Sequence, residues 1–235
     1  MSIELPVVGY RKLSVADYPG RLCAALTVPG CNFRCPYCPH MELVHHHEPM
    51  EKIPVEELLE SLYPRTGFLD AVTLTGGEPL LHKGLQDFLR EVKLLGLDVK
   101  LDTNASKPTA LRRVMQKKLV DYLSVQVVAP LRRYREVSRS RVRVEAIRDS
   151  IRMVRRSGVP HEFTVTPVPG IHDSEDILEV SRMLAGSRRL VIKRFNPGEC
   201  MDPSMRDAEP YSGVELEALR DVAAPYFSEV EIEKQ

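Results

Sequence analysis

Three cysteines within eight residues are the densest chemistry in this 235-residue chain. In Cys31-Asn32-Phe33-Arg34-Cys35-Pro36-Tyr37-Cys38 the thiols recur at spacings of four and three in a turn-rich segment, so they can converge on one soft metal centre. Three thiolates satisfy three irons of a [4Fe–4S] cubane and leave the fourth iron open to an outside ligand, whereas an electron-transfer cluster ordinarily takes four cysteines. The same thiols with one histidine, His40 or one of His45, His46 and His47, would also make a closed structural zinc site. Five cysteines in all, with Cys23 and Cys200 set apart, fit metal chemistry in a reducing compartment better than a disulfide framework.

Two other segments could hold a ligand. In Thr75-Gly76-Gly77-Glu78-Pro79 the paired glycines let backbone N–H and C=O groups come close to a bound molecule, although such a run is also an ordinary turn. In Asp102-Thr103-Asn104 a carboxylate and an amide could bond ribose hydroxyls, or simply lead into a helix.

These segments need a scaffold. Apolar, β-branched runs predict buried strands over 22–28, 71–75, 98–102, 122–128, 162–168 and 190–195. Between them, three- and four-residue spacing predicts helices over 55–62, 85–95, 109–117, 145–156 and 177–184, with a further helix over 214–224 and a last strand near 229–232. Pro54 suits a first helical turn, and Ser106 and either Asp173 or Ser174 are candidate caps. Strand–helix alternation predicts an α/β fold with parallel strands and right-handed crossovers, and six such units suit a partial barrel, although a doubly wound sheet has the same element order. A single unit over 1–235 is expected, with a core at about 21–200 and a closing helix and strand within 210–233. All three motifs follow the carboxyl ends of successive strands, the ligand-binding face of parallel α/β folds.

The balance of 33 basic against 33 acidic residues gives no overall field toward nucleic acid or an anionic membrane. No apolar run reaches the ~18 residues of a membrane span, and a cytoplasmic location is expected. The arginine-rich stretch over 132–156, including Arg133, Arg135, Arg139, Arg141 and Arg143, is either solvated surface or a docking face for an acidic partner.

The CxxxCxxC segment with an aromatic before its third cysteine, followed some forty residues on by Gly76-Gly77-Glu78-Pro79, resembles the radical S-adenosylmethionine (SAM) superfamily. Asp17-Tyr18-Pro19-Gly20, Leu101-Asp102-Thr103-Asn104, Val168-Pro169-Gly170, Pro197-Gly198 and Pro210-Tyr211-Ser212 narrow the likeness to activating proteins of glycyl radical enzymes. Those of anaerobic ribonucleotide reductase and pyruvate formate-lyase are the nearest types. The resemblance implies a partial (β/α)6 barrel, a [4Fe–4S] cluster on Cys31, Cys35 and Cys38, and SAM on the open iron. It further implies that Gly76, Gly77 and Glu78 hold the methionine end, the Tyr37 backbone the adenine, and Asp102 and Asn104 the ribose side. One electron, from a flavodoxin- or ferredoxin-type donor, would cleave SAM to a 5′-deoxyadenosyl radical that takes hydrogen from a glycine of the partner enzyme. The family's usual Asp and Lys after the fourth strand are here Gln126 and Val128, and its usual Gly after Asp-Thr-Asn is Ala105. Either SAM is held differently, by Lys193 or Arg194 on the sixth strand, or the chain serves another substrate, a small molecule or nucleotide.

Overall fold

The computed structural model describes residues 3–45 and 50–233. Among these, eight strands form one sheet in chain order: β1 (Gly9–Ser14), β2 (Cys23–Val28), β3 (Ala71–Gly76), β4 (Asp98–Thr103), β5 (Tyr122–Gln126), β6 (His161–Val165), β7 (Arg189–Ile192) and β8 (Glu229–Ile232). β1 runs antiparallel to β2, and every later neighbour pair is parallel. A doubly wound sheet would reverse direction at a switch point. Here the order never reverses and β8 does not close onto β1, so the sheet is an open, partial barrel.

The eight α-helices of the described residues are α1 (Met41–His45), α2 (Val55–Leu62), α3 (Leu85–Leu94), α4 (Pro108–Gln116), α5 (Tyr134–Val137), α6 (Val144–Arg156), α7 (Ser174–Leu184) and α8 (Gly213–Ala223). The longer ones bury the residues their spacing predicts: Leu58 and Leu62 on α2, Phe88, Leu89 and Val92 on α3, Ile147, Ile151 and Val154 on α6. They pack against alternate strand residues such as Val72, Leu74, Val99, Leu101, Leu123 and Phe163, all within one apolar core. Each such side chain contributes about 1.5–3 kcal/mol by leaving water. None of the described helices is long and apolar enough to cross a membrane.

The opposite face of the sheet is polar. Thr73, Lys100, Ser124, Glu162 and Thr164 alternate with the apolar residues and are themselves buried. Its charged members are paired: Tyr122 donates to Glu162 at 3.1 Å, Lys100 meets Asp102 at 2.6 Å, and Arg189 reaches Glu162 and Glu231. An inner wall of this kind suits a polar ligand.

Several expectations are corrected. β5 and β6 end earlier than their apolar runs, because the Val128 carbonyl is taken by His172 and Pro167 has no N–H to extend β6; β7 likewise stops at Ile192. β1 escaped notice because its exposed centre, Arg11-Lys12-Leu13, lacks alternation; α1 and α5 are too short for a helical period. Ser106 does not cap α4. Lys107 occupies that position without a side-chain bond, while Ser106 turns toward Asn32. Pro54 precedes the first turn of α2 rather than lying in it. Asp173 does cap α7, accepting from the Asp176 N–H at 2.9 Å. The arginine-rich stretch is partly internal: Arg132 and Arg133 both pair with buried Asp176, Arg135 bonds the Val142 carbonyl, and Arg139 pairs with Asp202.

One buried group in α6 opposes folding. The Ser150 hydroxyl is fully enclosed and has no hydrogen-bond partner. Ser150→Ala removes that unsatisfied hydroxyl and adds helix propensity, so urea unfolding should show a gain of about 1 kcal/mol.

Candidate functional site

Beyond Val28 the chain turns through Pro29 and Gly30 into the cysteine loop, and several independent contacts give the loop its shape. The Arg34 guanidinium bonds the carbonyls of Cys31 and Phe33 at 2.6 and 2.8 Å, and its backbone N–H bonds the Ser138 carbonyl after α5. From the other side, Met201 and Asp202 donate backbone N–H groups to the carbonyls of Cys38 and Pro36. Tyr37 is buried edge-on against His172, and its hydroxyl points to the Val128 carbonyl. Cys31, Cys35 and Cys38 then line one cavity of about 290 Å³ at the carboxyl ends of the strands.

The Gly-Gly pair is required by packing at this rim. Gly76 has φ +117°, and a Cβ there would lie 2.4 Å from the Val28 carbonyl oxygen; at Gly77 it would lie 2.0 Å from that of Gly30. Without side chains, the end of β3 closes on the end of β2, with Gly77 N–H bonded to Val28 and Glu78 N–H to Gly30. The paired glycines therefore lock the cysteine loop as well as lining the cavity.

The Glu78 side chain is not on the cavity wall. Its carboxylate is fully buried and turned away from the cavity, accepting from Leu80 N–H, the Thr103 hydroxyl and Asn104 N–H at 3.0, 2.7 and 2.7 Å. A side chain so committed is a strut between the loops after β3 and β4. Burial pushes its carboxyl up to about 7 despite these three donors.

Asp102 does line the cavity, held by Lys100, a buried cation two residues earlier on the same strand face. Lys100 was missed by motif reasoning, although a lone lysine inside an apolar strand, two positions before an acid, is a visible signal. Asn104 is also on the wall, but its amide bonds Asn32 Oδ1 at 3.1 Å and reaches the Cys31 sulfur at 3.7 Å. Ala105 stands at φ +56°, the left-handed region glycine would occupy without strain.

Gln126, Thr164 and Thr166 complete the wall with Lys193 and Arg194, and Lys193 lies 3.8 Å from Glu233. Val128 is not on the wall. It is fully buried in the core, so a lysine there could not reach the cavity without leaving its place.

Enclosure raises the thiols, Cys31 to about 11 and Cys35 further: loss of water comes first for both, followed by Glu78 and the Cys38 sulfur at Cys31 and by the two neighbouring sulfurs at Cys35. Bare thiols in this setting keep their protons, and a cationic iron–sulfur core is the kind of group that makes thiolates favourable here. Among the described residues, no three His, Cys, Asp or Glu side chains are placed to hold a single metal ion, so the thiols surround a cavity rather than one point. His46 and His47, and the side chain of His45, lie outside what the structure describes.

The model of the Radical SAM superfamily matches residues 26–184, and the chain belongs to that superfamily. The superfamily's cofactors, a [4Fe–4S] cluster and SAM, are this chain's cofactors. A Methanocaldococcus jannaschii protein, assigned by inference as a glycyl-radical enzyme activating enzyme, is 29% identical over 96% of this chain and 95% of its own length. A pyruvate formate-lyase-activating enzyme of Staphylococcus aureus is 36% identical, over 40% of this chain and 39% of its own. The GTP 3′,8-cyclase of Alkaliphilus oremlandii is 27% identical over 72% of this chain and 50% of its own. Among solved structures, Streptococcus suis SuiB bound to S-adenosylmethionine superposes with a TM-score of 0.68 at 15% identity, over 89% of this chain and 52% of SuiB. The chain thus spans about half the length of SuiB.

Glu78 predicts a pH dependence. Its carboxyl binds a proton more tightly when folded, at about 7, than when unfolded, at an ordinary value near ~4.3. The stability it contributes is complete below the unfolded value and is lost as pH rises through about 7. Urea unfolding from pH 4 to 8 should show this decline, and Glu78→Gln should flatten it.

Proposed function

We propose that this chain activates a glycyl radical enzyme, with Cys31, Cys35 and Cys38 as the cluster ligands. The observation that carries the reading is the common cavity: the three thiols, the Gly76-Gly77 backbone and Asp102 line one space at the mouth of an open barrel. The near full-length likeness to the archaeal relative supports the choice of activase.

When bound, the reduced cluster and SAM supply a carbon-centred 5′-deoxyadenosyl radical by one-electron cleavage of the sulfonium bond. The chain's own residues bind and orient. The Gly76 and Gly77 backbone, open to the cavity, receives the methionine end, the Tyr37 backbone faces the adenine, and Asp102, ion-paired with Lys100, bonds the ribose side. Lys193 and Arg194 offer the charge for the SAM carboxylate in place of the core residue Val128. The open sheet leaves a lateral mouth through which a glycine loop of a partner protein can enter. The electron donor is proposed as a flavodoxin or ferredoxin and the setting as anaerobic cytoplasm.

A second reading has this chemistry acting on a small molecule or nucleotide. Lys193 and Arg194 at the cavity, and the likeness to the GTP cyclase, favour it.

Anaerobically reconstituted protein should carry about four irons per chain, the number in one cubane. Alanine at Cys31, Cys35 or Cys38 should abolish this, while Cys23→Ala and Cys200→Ala keep it; zinc without iron would overturn the ligand assignment.

The reduced protein should cleave SAM to 5′-deoxyadenosine and methionine, faster with its partner, and should raise a glycyl radical doublet in the EPR spectrum of a co-encoded glycyl radical enzyme. SAM cleavage without that doublet, with a folded partner, would reject the activase reading and favour the second.

A further inference from the structure

We propose that Asn104 is a hydrogen-bond donor to the Cys31 sulfur that sets the reduction potential of the cluster. The inference rests on the reading that Cys31 is a cluster ligand, and it replaces the expected ribose contact of Asn104 with a different role.

The orientation of the amide follows from its neighbours. Asn104 Oδ1 accepts the Ser106 backbone N–H at 3.0 Å, so Nδ2 must face the other way. Its two protons then have two acceptors in reach: Asn32 Oδ1 at 3.1 Å and the Cys31 sulfur at 3.7 Å. Asn32 is held in turn by its own amide, which donates to the Ser106 hydroxyl at 2.9 Å. The Asn104 backbone is tied to Glu78 at 2.7 Å. Swinging the side chain toward the cavity mouth would break the contacts to Ser106, Asn32 and Cys31 together. Asn104 is only 5% exposed, so water could not replace them cheaply.

A donor facing a ligating sulfur favours the state with more negative charge on that sulfur, which is the reduced cluster. Inside an enclosed site this preference is weakly screened. Asn104 is thus a positioning residue acting through Cys31, and its effect is readable in the absence of SAM.

The test is an anaerobic redox titration of the reconstituted protein without SAM, following the EPR signal of the reduced cluster. At a fixed poise, Asn104→Asp, which sets a carboxylate against the sulfur, should lower the reduced-to-oxidised ratio about tenfold, ~59 mV for one electron. Asn104→Ala should shift it less, in the same direction. Unchanged titration curves in both variants, with only SAM affinity lowered, would overturn the proposal and restore the ribose role. Should these two variants fail to load iron, Asn104→Leu, close in size but without a donor, decides: a ratio about threefold lower supports the proposal while an unchanged one rejects it. Wild-type iron content reports separately on the ligand reading, since its loss would remove both claims at once.

Discussion

The enclosed carboxylate of Glu78 is the contact on which the site depends. It accepts one hydrogen bond from the turn after β3 and two from the end of β4, and it sits where no water can compete. A buried acid is costly unless its oxygens are satisfied, so the loops that supply the donors are held to one arrangement. The Gly76-Gly77 pair extends the same constraint to the end of β2, because only a chain without Cβ atoms can approach Val28 and Gly30 so closely. Three strand ends are joined in this way, and the cysteine loop grows from one of them.

The second organising feature is the division of the sheet into an apolar outer face and a polar inner one. The outer face is covered by helices and supplies most of the burial that stabilises the fold. The inner face carries paired charges, Lys100 with Asp102 and Arg189 with Glu162 and Glu231, instead of the layers of apolar side chains that fill a closed eight-stranded barrel. An open sheet tolerates this, since its interior need not be packed dry. The result is room for a polar cofactor directly above a buried ion pair, and Asp102 enters that room already fixed in place.

Motif chemistry is ambiguous at residues where two roles are open. Glu78 and Asn104 carry groups that can bind a ligand, yet their side chains are committed to the protein itself, one as a strut and the other beside a sulfur. Ser106 has the chemistry of a helix cap and instead completes the asparagine pair across the cysteine loop. Val128 stands where the family resemblance implies a lysine, but the backbone leaves β5 at Gln126 and turns Val128 into the core, with its carbonyl taken by His172.

By itself, the sequence determined the composition of the metal loop, the alternation of strands and helices, and the placing of three motifs after consecutive strands. These are local properties: thiol spacing, side-chain period and turn chemistry act over a few residues and survive in any reading frame of the fold. Helix α2 and strand β8 were legible to the residue for that reason. The tertiary structure alone decided between a partial barrel and a doubly wound sheet, and decided that Lys100 stands behind Asp102 and that Asn104 faces Cys31. A hydrogen-bonding side chain has several possible partners, and which one it takes depends on what long-range packing brings within about 3 Å of it.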